Sequence, residues 1–151
     1  MTPKHVIIAI LTVIMMSCKT EPDKVKKIVV KPIDIEKTAD VQLKLNDGEK
    51  WLANKETHEG ISNMESIIKT FKNGQEKNYR RLGEDLSKQS SYVIKNCTMK
   101  GEPHEQLHVV LVPMLDEITI FKESDIDQEA SIALKRLENL IVKYYNHFEI
   151  K

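Results

Sequence analysis

Four side chains that could bind a soft metal ion lie within twelve residues of this chain. Cys97 and Met99 offer a thiolate and a thioether, and His104 and His108 offer two imidazoles. The two histidines are spaced i and i+4, so on a helix they would lie on one face, one turn apart. Together these donors favour Cu(I), and Zn(II) is equally reasonable if the methionine takes no part.

Apolar residues at spacings of three and four predict the four amphipathic helices that must position these side chains. Asn46-Asp47-Gly48 is a turn and cap signal before the first helix, Ser124-x-x-Asp127 resembles a capping box before the fourth, and Pro113 predicts a kink in the third. The helices are expected at about 49–71, 76–96, from Pro103 to about 121, and from the Ser124 cap to about 148. We expect an all-α, up-down-up-down antiparallel four-helix bundle.

This topology brings further ligands to the end of the bundle that holds the cluster. His58 lies in the first half of helix 1, His147 closes helix 4, and Met64 lies deeper on the core face of helix 1. Bundle cores commonly hold metals between facing helices. We therefore predict a non-catalytic metal site with Cys97, His104 and His108 as central ligands and with Met99, His58 and Met64 as candidates for the rest.

Each of these residues also has a simpler interpretation. Cys97 could be a small core residue and His104 could bond the loop backbone. His108, at a core position, could be a hydrogen-bonded core histidine, and Met64 and Met114 could fill the core. The alternative is then a metal-free structural or interaction lipoprotein. An enzyme is least favoured, since a Cys97/His104 nucleophile pair is conceivable but no substrate is indicated.

The N-terminus predicts export and a lipid anchor. Val6 to Met16 is an apolar run that is too short to span a bilayer and fits a signal peptide over residues 1–17. Ser17-Cys18 then resembles a bacterial lipobox, which implies lipidation of Cys18, membrane attachment and a place in the cell envelope, on the periplasmic or the surface face of the outer membrane. The alternative is an ordinary cleaved signal peptide. Residues 18–46 are predicted to form a tether, and residues 47–151 are predicted to form the bundle.

The composition of the chain limits the classes of partner that we expect it to bind. Charged residues make up 30% of the 151 residues and the formal net charge is zero, which argues against a nucleic-acid binder. If Cys18 carries lipid through its sulfur, Cys97 is the one free thiol and no intramolecular disulfide can form.

Two motifs carry a resemblance to a known group of proteins. Glu49-Lys50-Trp51-x-Ala53-Asn54-x-Glu56-Thr57-x-x-Gly60-Ile61-x-x-Met64 and Cys97-Thr98-Met99-Lys100-Gly101-x-x-His104-x-x-Leu107-His108 resemble a poorly characterised family of small secreted or lipid-anchored bacterial proteins, frequent in the Bacteroidetes. The resemblance covers about residues 45–121. It implies the fold and the localisation, and no activity.

The predicted bundle is also similar in architecture to cytochrome b562, which implies haem binding by a methionine and a histidine. Met64 and His147 are the nearest matches. At 1.5 Å per residue, however, Met64 lies about 20 Å from the start of helix 1, which does not favour haem b.

Overall fold

The computed structural model describes residues 42–150. The predicted signal peptide, the Cys18 lipidation site and most of the predicted tether lie outside the described residues. The prediction of an all-α four-helix bundle is confirmed. The described chain forms, in order, β1 (Trp51–Leu52), α1 (Lys55–Asn73), α2 (Tyr79–Asn96), α3 (Glu102–Glu123), α4 (Asp127–His147) and β2 (Phe148–Glu149).

Contacts at the two ends of the bundle show that consecutive helices alternate in direction. At one end, the ring centroid of Phe71, near the end of α1, lies 5.1 Å from the ring centroid of Tyr79, at the start of α2. Tyr79 in turn stacks on Phe121, near the end of α3, with centroids 6.2 Å apart. At the other end, His58 in the first turn of α1 meets Tyr144 in the last turn of α4. This second end also holds Cys97.

A single apolar core runs along the bundle. Its fully buried members come from all four helices and include Ile61, Met64, Leu86, Val93, Leu107, Met114, Leu137 and Tyr144. α1 and α2 approach so closely at Gly60 that a Cβ atom there would lie 2.3 Å from Cγ2 of Val93. A side chain at this position would therefore clash with Val93, whose side chain would have to move.

The prediction that helix 1 begins near Glu49 is wrong. α1 begins at Lys55, after the N-cap Asn54, whose backbone is extended. Trp51 lies instead on β1, where it pairs in parallel with Phe148 of β2. The side chain of Trp51 is buried, and its indole Nε1–H donates to the carbonyl oxygen of Lys44 over 2.7 Å. These contacts with distant residues override the helical spacing of the sequence.

The predicted cap of the fourth helix also differs in detail. Ile126 is the N-cap of α4, and Ser124 lies before it. The Ser124 hydroxyl accepts from the backbone N–H of Ile126 and donates to the Glu129 carboxylate, so it links the loop to a side chain in the first turn of α4. α2 begins at Tyr79, three residues later than predicted, because the side chain of Asn78 caps it by accepting from the N–H of Arg81.

Helix α3 is continuous from Glu102 to Glu123 and passes through Pro113. It begins one residue before Pro103, close to the predicted start. None of the helices within residues 42–150 is long and apolar enough to cross a bilayer.

Candidate functional site

Cys97 and His104 lie in contact across the short connection between α2 and α3. Cys97 is the C-cap of α2, and its N–H donates to the carbonyl oxygen of Val93 over 2.9 Å. Gly101 precedes α3 with a φ of +64°, a conformation that glycine adopts without strain. This turn brings Nδ1 of His104, in the first turn of α3, to 3.6 Å from Sγ of Cys97. The fold therefore brings together two of the three residues predicted as central ligands.

His108 lies against His104 on the same face of α3. Their ring centroids are 4.4 Å apart, with an angle of 56° between the planes. Partial burial, followed by the charge of the neighbouring His104, lowers the pKa of His108 below its ordinary value. The neutral imidazole, which is the form that binds metals, therefore persists to lower pH than in an isolated histidine.

The interpretation of His108 as a core histidine is wrong. The residue is exposed, and the adjacent Leu107 occupies the core position with 1% of its surface accessible. Gln106, which no spacing pattern singled out, is buried to the same extent. Within two consecutive turns, α3 thus presents an accessible histidine pair on one side and a buried amide on another.

A hydrogen-bonded network fixes the end of α2 just before the thiol. The side-chain Nδ2 of Asn54 donates to the carbonyl oxygen of Asn96 over 3.1 Å and to the Glu56 carboxylate over 2.7 Å. Its Oδ1 accepts from the hydroxyl of Thr57, which is fully buried. The start of α1 therefore holds the backbone next to Cys97 in place.

Tyr144 joins His58 to this end of the bundle. Its hydroxyl lies 3.4 Å from Nδ1 of His58, and the His58 ring lies edge-on against Tyr145 at 5.5 Å. Burial, then the charges of Tyr145 and Cys97, raise the pKa of the Tyr144 hydroxyl above its ordinary range. No motif in the sequence singles out Tyr144, and its helical spacing from Leu137 on α4 was the available signal.

The remaining predicted ligands are spread around this cluster. Met99 is half-buried and packs against the edge of the core, whereas Met64 and Met114 are fully buried within it. His147 lies in the last turn of α4, but its Nδ1 bonds the carbonyl oxygen of Lys143 on the same helix over 2.7 Å. His58 is linked to Tyr144 and not directly to the thiol.

The arrangement is one contact between a thiol and an imidazole, with a second imidazole beside it. Among residues 42–150, no three His, Cys, Asp or Glu side chains stand in positions ready to hold one metal ion. With metal–sulfur and metal–nitrogen bonds of about 2.3 and 2.05 Å, sulfur and nitrogen would be about 3.6 Å apart at a tetrahedral angle and about 3.8 Å apart at the 120° angle of a three-ligand site. The observed separation of Sγ and Nδ1, 3.6 Å, fits this geometry.

Comparison with known proteins adds no further constraint: no family model, curated protein or solved structure matches this chain.

Proposed function

We propose that this protein binds one Cu(I) ion through Cys97, His104 and His108, without catalysing a reaction, at the surface of an extracytoplasmic lipid-anchored bundle. The observation that supports this most directly is the 3.6 Å separation of Sγ of Cys97 and Nδ1 of His104. Both side chains are half-buried, so they combine access for an ion with partial shielding from water. A bound metal would deprotonate the thiol and protect it from oxidation.

The number of ligands favours copper over zinc. Structural zinc sites are almost always tetrahedral with four protein ligands. The pair Cys97 and His104 would gain His108 through a change of its side-chain torsion angles, since the two imidazoles are already neighbours. Cu(I) accepts two or three soft ligands, and Met99 on the adjoining loop would supply a thioether as an additional donor.

The cellular setting of this proposal rests on the N-terminal sequence. The apolar run from Val6 to Met16 followed by Ser17-Cys18 supports export and lipidation at Cys18. The membrane is then a partner through the lipid, and the bundle faces the periplasm or the cell exterior. Haem is not part of the proposal, because Met64 is packed in the core and His147 bonds its own helix.

The second candidate is a metal-free structural or interaction lipoprotein. A sulfur atom and an imidazole nitrogen at 3.6 Å are also within hydrogen-bonding distance. Cys97 packs against the apolar core as well, as a purely structural cysteine would. In that case Cys97 and His104 would serve only to join α2 to α3.

Titration with Cu(I) separates the two candidates. The full chain carrying Cys18→Ser, reduced and kept free of oxygen, is titrated against a coloured Cu(I) chelator, and we expect uptake of about one equivalent. Labelling of Cys97 by a thiol reagent should be slow in the loaded protein and return to the rate of the metal-free protein when excess chelator is added. No uptake together with an unchanged labelling rate would favour the metal-free candidate.

A further inference from the structure

Residues 42–50 form a strap that lies across the end of the bundle where Cys97 is found. Leu43 packs against the core. Asn46 and Glu49 exchange two backbone hydrogen bonds of 2.9 Å around a tight turn, with positive φ at Asp47 and Gly48. The strap belongs partly to the stretch predicted as a tether, and it leads to the N-terminal residues that are predicted to carry the lipid.

The strap is fastened to α3 by a buried side chain. The backbone N–H of Lys44 donates to Oε1 of Gln106 over 2.7 Å, and only 1% of the Gln106 surface is exposed. The backbone carbonyl oxygen of Lys44 accepts a hydrogen bond from the indole N–H of Trp51 over 2.7 Å. An exposed ion pair of 2.7 Å between Nζ of Lys44 and Glu102 adds little, because both partners are at least half accessible. The backbone bonds at Lys44 therefore hold the strap.

In the sequence, Gln106 is midway between His104 and His108, the two histidines of the proposed site. Successive residues of an α-helix are rotated by about 100°, so Gln106 faces roughly away from His104 and His108. The first two turns of α3 thus carry the strap on one side and the proposed metal ligands on the other. The N-cap residue of this helix is Gly101, and within the described chain no side chain caps the helix start. The first two turns are held by the burial of Leu107 in the core, by the strap and by the contact with Cys97.

We infer that docking of the strap and occupation of the metal site are coupled through residues 102–108. The inference rests on the proposed function. A metal held between Cys97 and His104 fixes the start of α3 in the position that Gln106 needs to reach Lys44. By thermodynamic reciprocity, a docked strap raises the affinity for the metal by the same factor by which the metal favours docking. Metal occupation is then transmitted to the segment that leads toward the membrane.

The test compares Cu(I) affinity with hydrogen exchange in the full chain carrying Cys18→Ser. Gln106→Leu removes the acceptor for the Lys44 amide and replaces the buried amide by an apolar side chain of similar size. Leu43→Ala loosens the strap and leaves α3 unaltered, so it serves if Gln106→Leu does not fold. We expect each variant to bind Cu(I) at least about fivefold more weakly, which is the lower end of common coupling strengths. In the parent chain, which carries Cys18→Ser alone, Cu(I) should slow hydrogen exchange of the Lys44 backbone amide by a similar factor.

Lys44→Met is the matched control, because it removes the exposed ion pair and keeps the backbone bond to Gln106. Its Cu(I) affinity should stay within about twofold of the parent protein. If the parent binds Cu(I) and both strap variants bind it equally well, the coupling is overturned while the proposed function stands. Equal exchange of the Lys44 amide with and without Cu(I) also overturns it. If the parent takes up no Cu(I), the proposed function and the coupling fail together.

Discussion

A double variant, Cys97→Ser with His108→Ala, is expected to bind Cu(I) more than about 100-fold more weakly than the parent chain. Changes in residues that only support metal ligands typically cost about 10- to 100-fold in affinity, so the loss of a thiolate and an imidazole should cost more. Serine keeps the size of Cys97 but remains a protonated alcohol, which is a poor ligand for a soft ion. Cys97 is half-buried and His108 is exposed, so the helical circular dichroism should be unchanged.

The matched control for this variant is His147→Ala. His147 carries an imidazole like that of His108 and lies at the same end of the bundle. Its ring, however, bonds the carbonyl oxygen of Lys143 on its own helix. The affinity of this control should stay within about threefold of the parent chain, well inside the range of supporting residues. Unchanged uptake by the double variant would eliminate Cys97 and His108 as ligands, and a loss in the control equal to that in the double variant would show that the effect is not specific to the site.

Tyr144→Ala is expected to give the largest loss of folding stability in this end of the bundle, about 3–5 kcal/mol in the free energy of unfolding. The ring is fully buried and stacks on Phe148 with centroids 5.0 Å apart and planes within 10° of parallel. It also lies edge-on to Tyr145 at 5.5 Å. The alanine variant would leave a cavity where α4, β2 and α1 meet. Urea unfolding followed by circular dichroism measures the change.

Tyr144→Phe isolates the contribution of the hydroxyl. It keeps the ring and removes the oxygen that lies 3.4 Å from His58, so the expected loss is about 0.5–1.5 kcal/mol. Tyr145→Phe is the comparison at a half-buried position, and it removes a hydroxyl that donates to Glu65 over 3.3 Å. If Tyr144→Ala unfolds within about 1 kcal/mol of the parent protein, the ring does not occupy the core position described for it.

The sequence was sufficient to predict the bundle because the apolar positions repeat at helical spacing in all four segments. The stripe of α4, for example, places Ala133, Leu137 and Tyr144 on one face, and all three are fully buried. Local spacing is also a good predictor of chain direction here, since connections this short join neighbouring antiparallel helices.

Local spacing failed where distant contacts decide the structure. Trp51 falls three residues before Asn54, in phase with a helix, yet it pairs with Phe148 at the far end of the described chain and bonds Lys44. His108 and Leu107 differ by one residue in the helical pattern, and periodicity alone could not assign the core position to one of them. The buried role of Gln106 is set by the strap, which no periodic pattern reveals.

Some of the contacts among the candidate site residues could be predicted from the sequence. The approach of Cys97 to His104 follows from the short connection between α2 and α3, and the neighbouring rings of His104 and His108 follow from their spacing. The torsion angles of single side chains do not follow from sequence. For that reason, neither the contact of His58 with Tyr144 nor the orientation of the His147 ring toward the Lys143 carbonyl oxygen could be predicted.

X-ray absorption at the copper edge tests the proposed site most directly. The sample is the full chain carrying Cys18→Ser, loaded with one equivalent of Cu(I) and separated from free metal. The proposal predicts one sulfur neighbour and one or two nitrogen neighbours of the copper, with participation of Met99 adding a second sulfur. The sulfur signal from Cys97 should be absent in Cys97→Ser. A spectrum with only oxygen or nitrogen neighbours, or the same spectrum from Cys97→Ser, would contradict it.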